Sequence, residues 1–199
     1  MLAAGASNRF NDTKQLALIN GKTMVVASAE RLSQTNIDSL SIVLGAKAQA
    51  IEKALNQANI FKDSNVKASY VTAENWQQGM GASIAAGVKS LDKKYTHVLI
   101  GLSDQVAISS KQFNLMLKVS RERPKNIVAA LYNKKLGAPA IFPHAFFSQL
   151  AALSNDKGAR DILRENAATV LRVDLPEAAQ DIDTKSDLLS YISGVSPIK

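Results

Sequence analysis

The sequence predicts a three-layer α/β/α sandwich around a mostly parallel sheet, and three observations predict it. Short apolar runs alternate with helix-period segments from end to end. Residues 97–102, His-Val-Leu-Ile-Gly-Leu, form a nearly continuous apolar run, the pattern of a strand buried on both faces. Neither an internal repeat, a low-complexity tract nor a linker interrupts the alternation, so residues 1–199 read as a single domain.

Each element has its own reason. Residues 1–4 start a strand too short to be a full one. The expectation is a first strand truncated at Met1, through lost N-terminal residues or a misassigned start codon. Ser39–Leu44 is the next strand, and residues 46–59 form a helix with Ala50, Ile51, Ala54, Leu55 and Ala58 on one face. Residues 66–71 are a strand, 81–91 a helix with few polar residues, and 97–102 the buried strand. Ser109 or Ser110 caps the helix that runs through Phe113, Leu117 and Val119. Residues 126–131 return as a strand, and 138–142 as a short one. Pro143 opens a helix to about residue 153, and another begins within 157–161. Residues 170–173 are a last strand. Thr184 and Asp187, spaced as a capping box, start a helix to Ile192.

Composition narrows the function classes. The chain lacks cysteine, which excludes disulfides and thiolate metal sites and fits a cytoplasmic protein. No apolar stretch approaches the ~18 residues of a membrane helix, and the N-terminus carries no secretory pattern. The net charge of +7 and the pI near 9.6 favour an anionic ligand. The cations are scattered and aromatics are only 6%, so no stacking platform for nucleic acid is present.

The ligand class is written into the first fourteen residues. Ala3-Ala4-Gly5-Ala6-Ser7 leads into Arg9 and Lys14. Small residues let backbone N–H groups approach a bound group, and consecutive N–H groups form a nest for anions. Arg9 adds a forked permanent cation and Lys14 a mobile point charge. The pattern suggests a loop around a polyphosphate, although it matches neither of the two commonest glycine-rich phosphate motifs. The alternative is a polar surface turn.

Ligands in open α/β sheets bind at the carboxyl ends of the strands. The loops starting at Gly5, at 101–104 and at 133–137 are therefore expected to face one crevice. Asp104, directly after the buried strand, is placed to hold a hard cation such as Mg²⁺; the alternative is a turn or cap aspartate. Asp181 and Asp183 flank Ile182, so on extended chain they point the same way, and one of them is a candidate second metal ligand. Gly79 and Gly81 lead into a helix, where Ser83 could hydrogen-bond a base or ribose; by itself a two-glycine turn reads first as structural. Lys157 and Arg160 near a helix start oppose the macrodipole, which a second anionic ligand would offset; the alternative is a solvated turn. His97 and His144 have no triad partners and read as structural.

Taken in order, these motifs resemble a known group. Leu2-Ala-Ala-Gly-x-Ser-x-Arg9 with Lys14, Gly79-Met80 with Ser83, Ser103-Asp-Gln105, Gly137-x-Pro139 with Phe142-Pro143, Lys157-Gly-Ala-Arg160 and Asp181-Ile-Asp-Thr184 are similar to the nucleotidyltransferases of the molybdenum-cofactor group. The likeness leans to the cytidylyltransferase branch, since the opening is Leu-Ala-Ala-Gly and Asp104 is followed by Gln105. Asn11, Val106 and Lys185 depart from the family pattern.

The resemblance implies a Rossmann-like nucleotide-diphospho-sugar transferase fold. It also implies a Mg²⁺-dependent transfer of CMP from CTP to the phosphate of molybdopterin, with release of pyrophosphate. Gly5, Ser7, Arg9 and Lys14 would bind the triphosphate, with Arg9, Lys14 and Asp104 carrying the catalysis. Leu2, Ala3 and Ala4 would meet the base through backbone atoms, with Gly79 and Ser83 close to the nucleoside. Asp104 and Asp183 would hold metal, and Lys157 and Arg160 would receive the acceptor. Two other readings stand beside this one: transfer to another phosphorylated metabolite or sugar phosphate, and a nucleotide-binding cofactor carrier without turnover. An oxidoreductase is disfavoured because the dinucleotide fingerprint is missing.

Overall fold

A computed structural model describes residues 1–10, 12–62, 64–154, 156 and 158–194; Asn11 and Lys157 lie outside the described residues. The first strand, β1 (Leu2–Ala3), leads through the opening loop to a small hairpin, β2 (Leu18–Ile19) and β3 (Lys22–Thr23). α1 (Met24–Ser33) follows directly and buries Met24, Val25, Val26, Ala29 and Leu32. The sequence reading assigns no element here. Nearly every side of the first two turns is buried, so the helical period is hidden in a run of small and apolar residues.

β4 (Ser39–Leu44) matches its expected span, and α2 (Ala48–Ala58) follows it. α2 starts two residues later than the pattern suggests, because Lys47 sits at φ 56° and the chain turns there. β5 (Lys67–Thr72), α3 (Met80–Lys89) and β6 (His97–Ile100) come next. β6 stops short of residue 102 because the chain there turns to β1: Leu2 N–H donates to Gly101 O at 2.9 Å and Ser103 N–H to Leu2 O at 3.0 Å. α4 (Ser110–Glu122) is capped by Ser109 in a reciprocal capping box with Gln112.

β7 (Val128–Tyr132) and β8 (Lys135–Pro143) form a hairpin over Asn133 and Lys134, at φ 48° and 60°. This corrects the expectation of a free loop at 133–137 and of a strand beginning at 138. Two left-handed residues make the tight turn that matches strand twist. Pro143 ends β8 rather than opening a helix; α5 (Phe147–Ala151) follows after one 3₁₀ turn. α6 (Arg160–Glu165), β9 (Leu171–Asp174) and α7 (Lys185–Ile192) complete the described chain, with the Thr184–Asp187 capping box as expected.

β1, β4 and β5 are mutually parallel, in the order β1-β4-β5. The second group runs β6-β8-β7-β9, and the Leu2–Leu102 bridge joins the two. β7 and β9 are parallel, whereas β8 runs against both of its neighbours. The result is a Rossmann-like α/β fold with one antiparallel strand. One face of the sheet packs on α1, α2 and α4 through Val25, Leu32, Ile51, Leu55, Phe113 and Met116. The other packs on α3, α5 and α6 through Ile84, Val88, Leu150, Ile162 and Leu163. The period of two is visible in β8, where Ile141 joins the first face and Ala140 and Phe142 the second.

The strand ends differ. At the amino ends of β4 and β6, below Met1, lies a cavity of about 450 Å³ bordered by Leu40, Val43, Val88, Leu99 and Ile141 among others. Met1 N lies 2.8 Å from Ser41 O.

Candidate functional site

At the carboxyl ends of β1 and β6 a third apolar cluster unites Phe10, Ile19, Met24, Val106 and Ile182, with Leu188 and Tyr191 of α7 packed on it. Each anchor sits one to four residues from a charged residue. Phe10 follows Arg9, Val106 follows Asp104 by two, and Ile182 precedes Asp183. Burying the anchors turns the charges outward together. Lys14 Nζ donates to Asp104 Oδ2 at 2.6 Å and to Asp183 Oδ1 at 3.0 Å. Arg9 NH1 lies 3.0 Å from the other oxygen of Asp183. Four residues separated by up to 174 positions therefore meet at one point.

The cluster is held from behind. Asp187 Oδ2 accepts from the backbone N–H of Asp183 at 3.1 Å and of Thr184 at 2.8 Å, so the cap of α7 fixes the Asp183 backbone. Ile182 N–H reaches Asp104 O at 3.4 Å, and Ser28 Oγ donates to Ser103 O at 2.7 Å. Burial by itself lowers the Lys14 ammonium; Asp104 first and then Asp183 outweigh it, and the net direction is up. Lys14 is therefore firmly protonated at neutral pH.

Gln15 was not singled out by the sequence reading, yet it shapes the opening loop. It is buried, its Nε2 donates to Gly5 O at 2.8 Å and to Ala3 O at 3.4 Å, and its Oε1 accepts from Ser7 Oγ at 3.0 Å. One neutral amide thus fixes both sides of the small-residue turn. A lone glutamine carries no periodic signal in sequence. Gly5, Ala6 and Ser7 line an open pocket with Thr13, Ala46, Lys47 and Trp76. A Cβ on Gly45 would lie 2.7 Å from Ala4 O and from Trp76 Cβ, so only glycine permits this approach of tryptophan to the loop. Trp76 passes directly into Gly79 and α3: Gly79 N–H donates to Trp76 O at 3.0 Å. Gly79 is thereby tied to Trp76, whereas Ser83 is buried within α3; neither residue borders the pocket or the charged cluster. Leu2 spends its N–H and carbonyl on residues 101 and 103, and Ala4 O accepts from Ala46 N–H at 3.0 Å.

The β7–β8 hairpin approaches the same end. Gln105 is buried and its Nε2 donates to Ala138 O at 2.9 Å and Ala178 O at 3.0 Å, tying the Asp104 turn to β8. A Cβ on Gly137 would run into the Tyr132 hydroxyl, so glycine there makes room for the phenol. Burial raises the Tyr132 phenol, as do the Asp181 and Asp104 carboxylates, against the opposing Arg160. Tyr132 thus feels the carboxylates of this end, and nothing in the sequence signals it because a tyrosine in a strand ordinarily reads as packing. Arg160 begins α6 beside this phenol; its expected companion Lys157 falls outside the described residues. His97 hydrogen-bonds Thr96 and Pro124 O, and His144 stacks on Phe147, away from the cluster.

The donor set suits a hard cation. Asp104 Oδ1 is buried and has no hydrogen-bond partner, an acceptor left open beside two paired carboxylates. Among the described residues no group of three or more His, Cys, Asp and Glu converges. That count fits Mg²⁺-type binding, where one or two carboxylates are completed by substrate phosphates and water.

Comparison with known proteins bears on this geometry. A family model described as the MobA-like NTP transferase domain matches residues 1–170. Nicotine blue oxidoreductase of Paenarthrobacter nicotinovorans is 31% identical over 195 residues, covering 92% of this chain and 90% of that protein. Among solved structures, Rv0371c of Mycobacterium tuberculosis H37Rv in complex with manganese aligns with TM-score 0.75 at 22% identity, over 98% of this chain and 96% of that one. The molybdopterin-guanine dinucleotide biosynthesis protein A of Archaeoglobus fulgidus aligns with TM-score 0.64 at 13% identity, over 99% and 97%. At these identities the solved structures speak for the fold. No helix among the described residues is long and apolar enough to cross a membrane.

Proposed function

The chain belongs to the MobA-like NTP transferase family, and from that premise we propose that it transfers CMP from CTP to the phosphate of molybdopterin and releases pyrophosphate. The observation that carries the reading is the meeting of Arg9 and Lys14 with Asp104 and Asp183 at the strand ends, beside a small-residue loop. A phosphorylated metabolite or sugar phosphate in place of molybdopterin would use the same machinery.

In this reading the triphosphate lies along Gly5–Ser7, with Arg9 and Lys14 on its β- and γ-phosphates. An oxygen of the acceptor phosphate attacks the α-phosphorus in line. A new P–O–P bond forms, the α–β bond breaks, and pyrophosphate leaves. A phosphate monoester is already ionised at neutral pH, so no strong base is needed. Catalysis rests on positioning and charge neutralisation. Arg9 and Lys14 offset the charge growing on the leaving pyrophosphate. Asp104 and Asp183 would hold Mg²⁺, which neutralises phosphate charge when bound; the manganese complex of Rv0371c supports a divalent ion at this fold. Tyr132 and Arg160, with Lys157 nearby in sequence, would receive the acceptor phosphate in this reading.

The test is pyrophosphate release from each of the four nucleoside triphosphates, with molybdopterin or a sugar phosphate as acceptor. A CTP preference that requires both molybdopterin and Mg²⁺ supports the proposal. Turnover with a sugar phosphate alone replaces the acceptor, and tight CTP binding without turnover makes the chain a carrier. The 31% identity to a protein named for nicotine blue reduction supports a second reading, an oxidoreductase on the same scaffold. Reduction of nicotine blue by a hydride donor, with no pyrophosphate formed in the first assay, would select it.

A further inference from the structure

We infer that Lys14 is a tethered stand-in for the divalent cation: without nucleotide its ammonium closes the Asp104–Asp183 pair to free metal, and a triphosphate opens the pair by drawing Lys14 away. The inference rests on the nucleotidyl-transfer reading for its trigger and on the geometry for its lock. Lys14 Nζ bridges Asp104 Oδ2 and Asp183 Oδ1 at 2.6 and 3.0 Å, the place between two carboxylates that a bridging cation would take. Its side chain is only 12% exposed, so this is an enclosed pairing and not a surface encounter. Arg9 already neutralises the remaining oxygen of Asp183, 3.0 Å away. Of the four carboxylate oxygens, Asp104 Oδ1 alone stays buried without a hydrogen-bond partner. One open oxygen does not hold a hard divalent ion in competition with water. Two oxygens released together, with phosphate oxygens brought by the ligand, do.

The backbone allows the exchange. Lysine carries its charge on a flexible four-carbon stem, so the ammonium can swing with no change in the loop. The next residue, Gln15, clamps that loop from within, which confines the movement to the Lys14 side chain. Metal and triphosphate then bind with positive and reciprocal coupling, because each favours the arrangement in which Lys14 has left the carboxylates. The device also keeps the carboxylate pair neutralised between turnovers.

Mn²⁺ titration of the free protein, followed by electron paramagnetic resonance with no nucleotide present, tests the lock. Lys14→Met should bind Mn²⁺ about tenfold more tightly than the native chain, Lys14→Arg should stay as weak as the native chain, and adding Asp104→Asn to Lys14→Met should abolish the gain. Equal Mn²⁺ affinity in the native chain and in a folded Lys14→Met overturns the inference. Should Lys14→Met fail to fold, the native chain still decides it. Metal-free tripolyphosphate must shift the side-chain ammonium resonance of Lys14, and a resonance unmoved at saturation overturns the inference. Neither measurement uses turnover, so a failed pyrophosphate assay strikes the proposed reaction and leaves the lock to be judged by Mn²⁺ alone.

Discussion

The two ends of the central strands are made by the same chain segments and differ in almost every physical respect. The carboxyl ends gather Arg9, Lys14, Asp104 and Asp183 over a small apolar cluster, with Arg9 exposed and the Lys14–Asp104 pair enclosed. The amino ends hold a partly open cavity of about 450 Å³ bordered by core residues such as Leu40, Val88 and Ile141 and by Asn36, Lys94 and Arg121. The proposed chemistry therefore belongs to the charged end and not to the hollow. Enclosed volume reports how strands and helices fill space, whereas chemistry needs convergent charge, and loops leaving the strand ends supply it.

Substitutions at each end should separate the two. Asp104→Asn should have the largest effect, a loss of activity on the order of 10²–10³-fold, with a melting curve close to native; pyrophosphate release and thermal circular dichroism measure both. Near-native turnover would remove the carboxyl end from catalysis. Lys14→Met should cost roughly tenfold to a hundredfold in kcat/KM. Its folded ammonium is raised above 10.5, so the stability it contributes is present at lower pH and is lost only as pH climbs through that raised value. A stability profile from pH 7 to 11 should show no step at neutral pH that depends on Lys14.

Gln15→Leu should act next. It removes the hydrogen bonds to the carbonyls of Gly5 and Ala3 and from the Ser7 hydroxyl, at about 0.5–1.5 kcal/mol each, and should raise KM for the triphosphate more than it lowers kcat. Gly137→Ala should displace Tyr132, costing about 1–3 kcal/mol of overpacking in urea melts, with the acceptor KM moving while the triphosphate KM holds. Smallest of all, Val88→Ile should extend into the amino-end cavity, raising Tm by about 1–3 °C with turnover unchanged. If Val88→Ile altered kcat instead, the proposed independence of the two ends would be broken.

Much of this was legible in the sequence, for reasons that differ by residue. Ser39–Leu44 and the strand at 97–100 follow from apolar runs, although only Ile100 of the latter is buried and not the whole strand as expected, and the cap at Thr184 follows from its partner Asp187. Arg9, Lys14 and Asp104 stand out by type and by their place after strands, Asp183 by its alternation with Asp181 before the last helix, and the fold brings the four into contact. The antiparallel course of β8 was not legible. Nothing in the apolar content of 135–143 records direction, and only the left-handed pair Asn133–Lys134 gives the hairpin away. α1 was hidden by being buried nearly all round. Gln15 and Tyr132 were invisible for a further reason, since their importance lies wholly in partners distant from any local pattern.

The Gln15 clamp has a consequence for how ionic strength should act. Salt weakens attraction between charges and leaves neutral hydrogen bonds almost untouched. The shape of the opening loop depends on an uncharged amide, whereas the cations beside it are engaged in ion pairs. Added salt should then loosen the grip on a polyphosphate while its cradle keeps its form. Affinity would become a dial that ions turn, and the geometry of recognition would stay fixed beneath it.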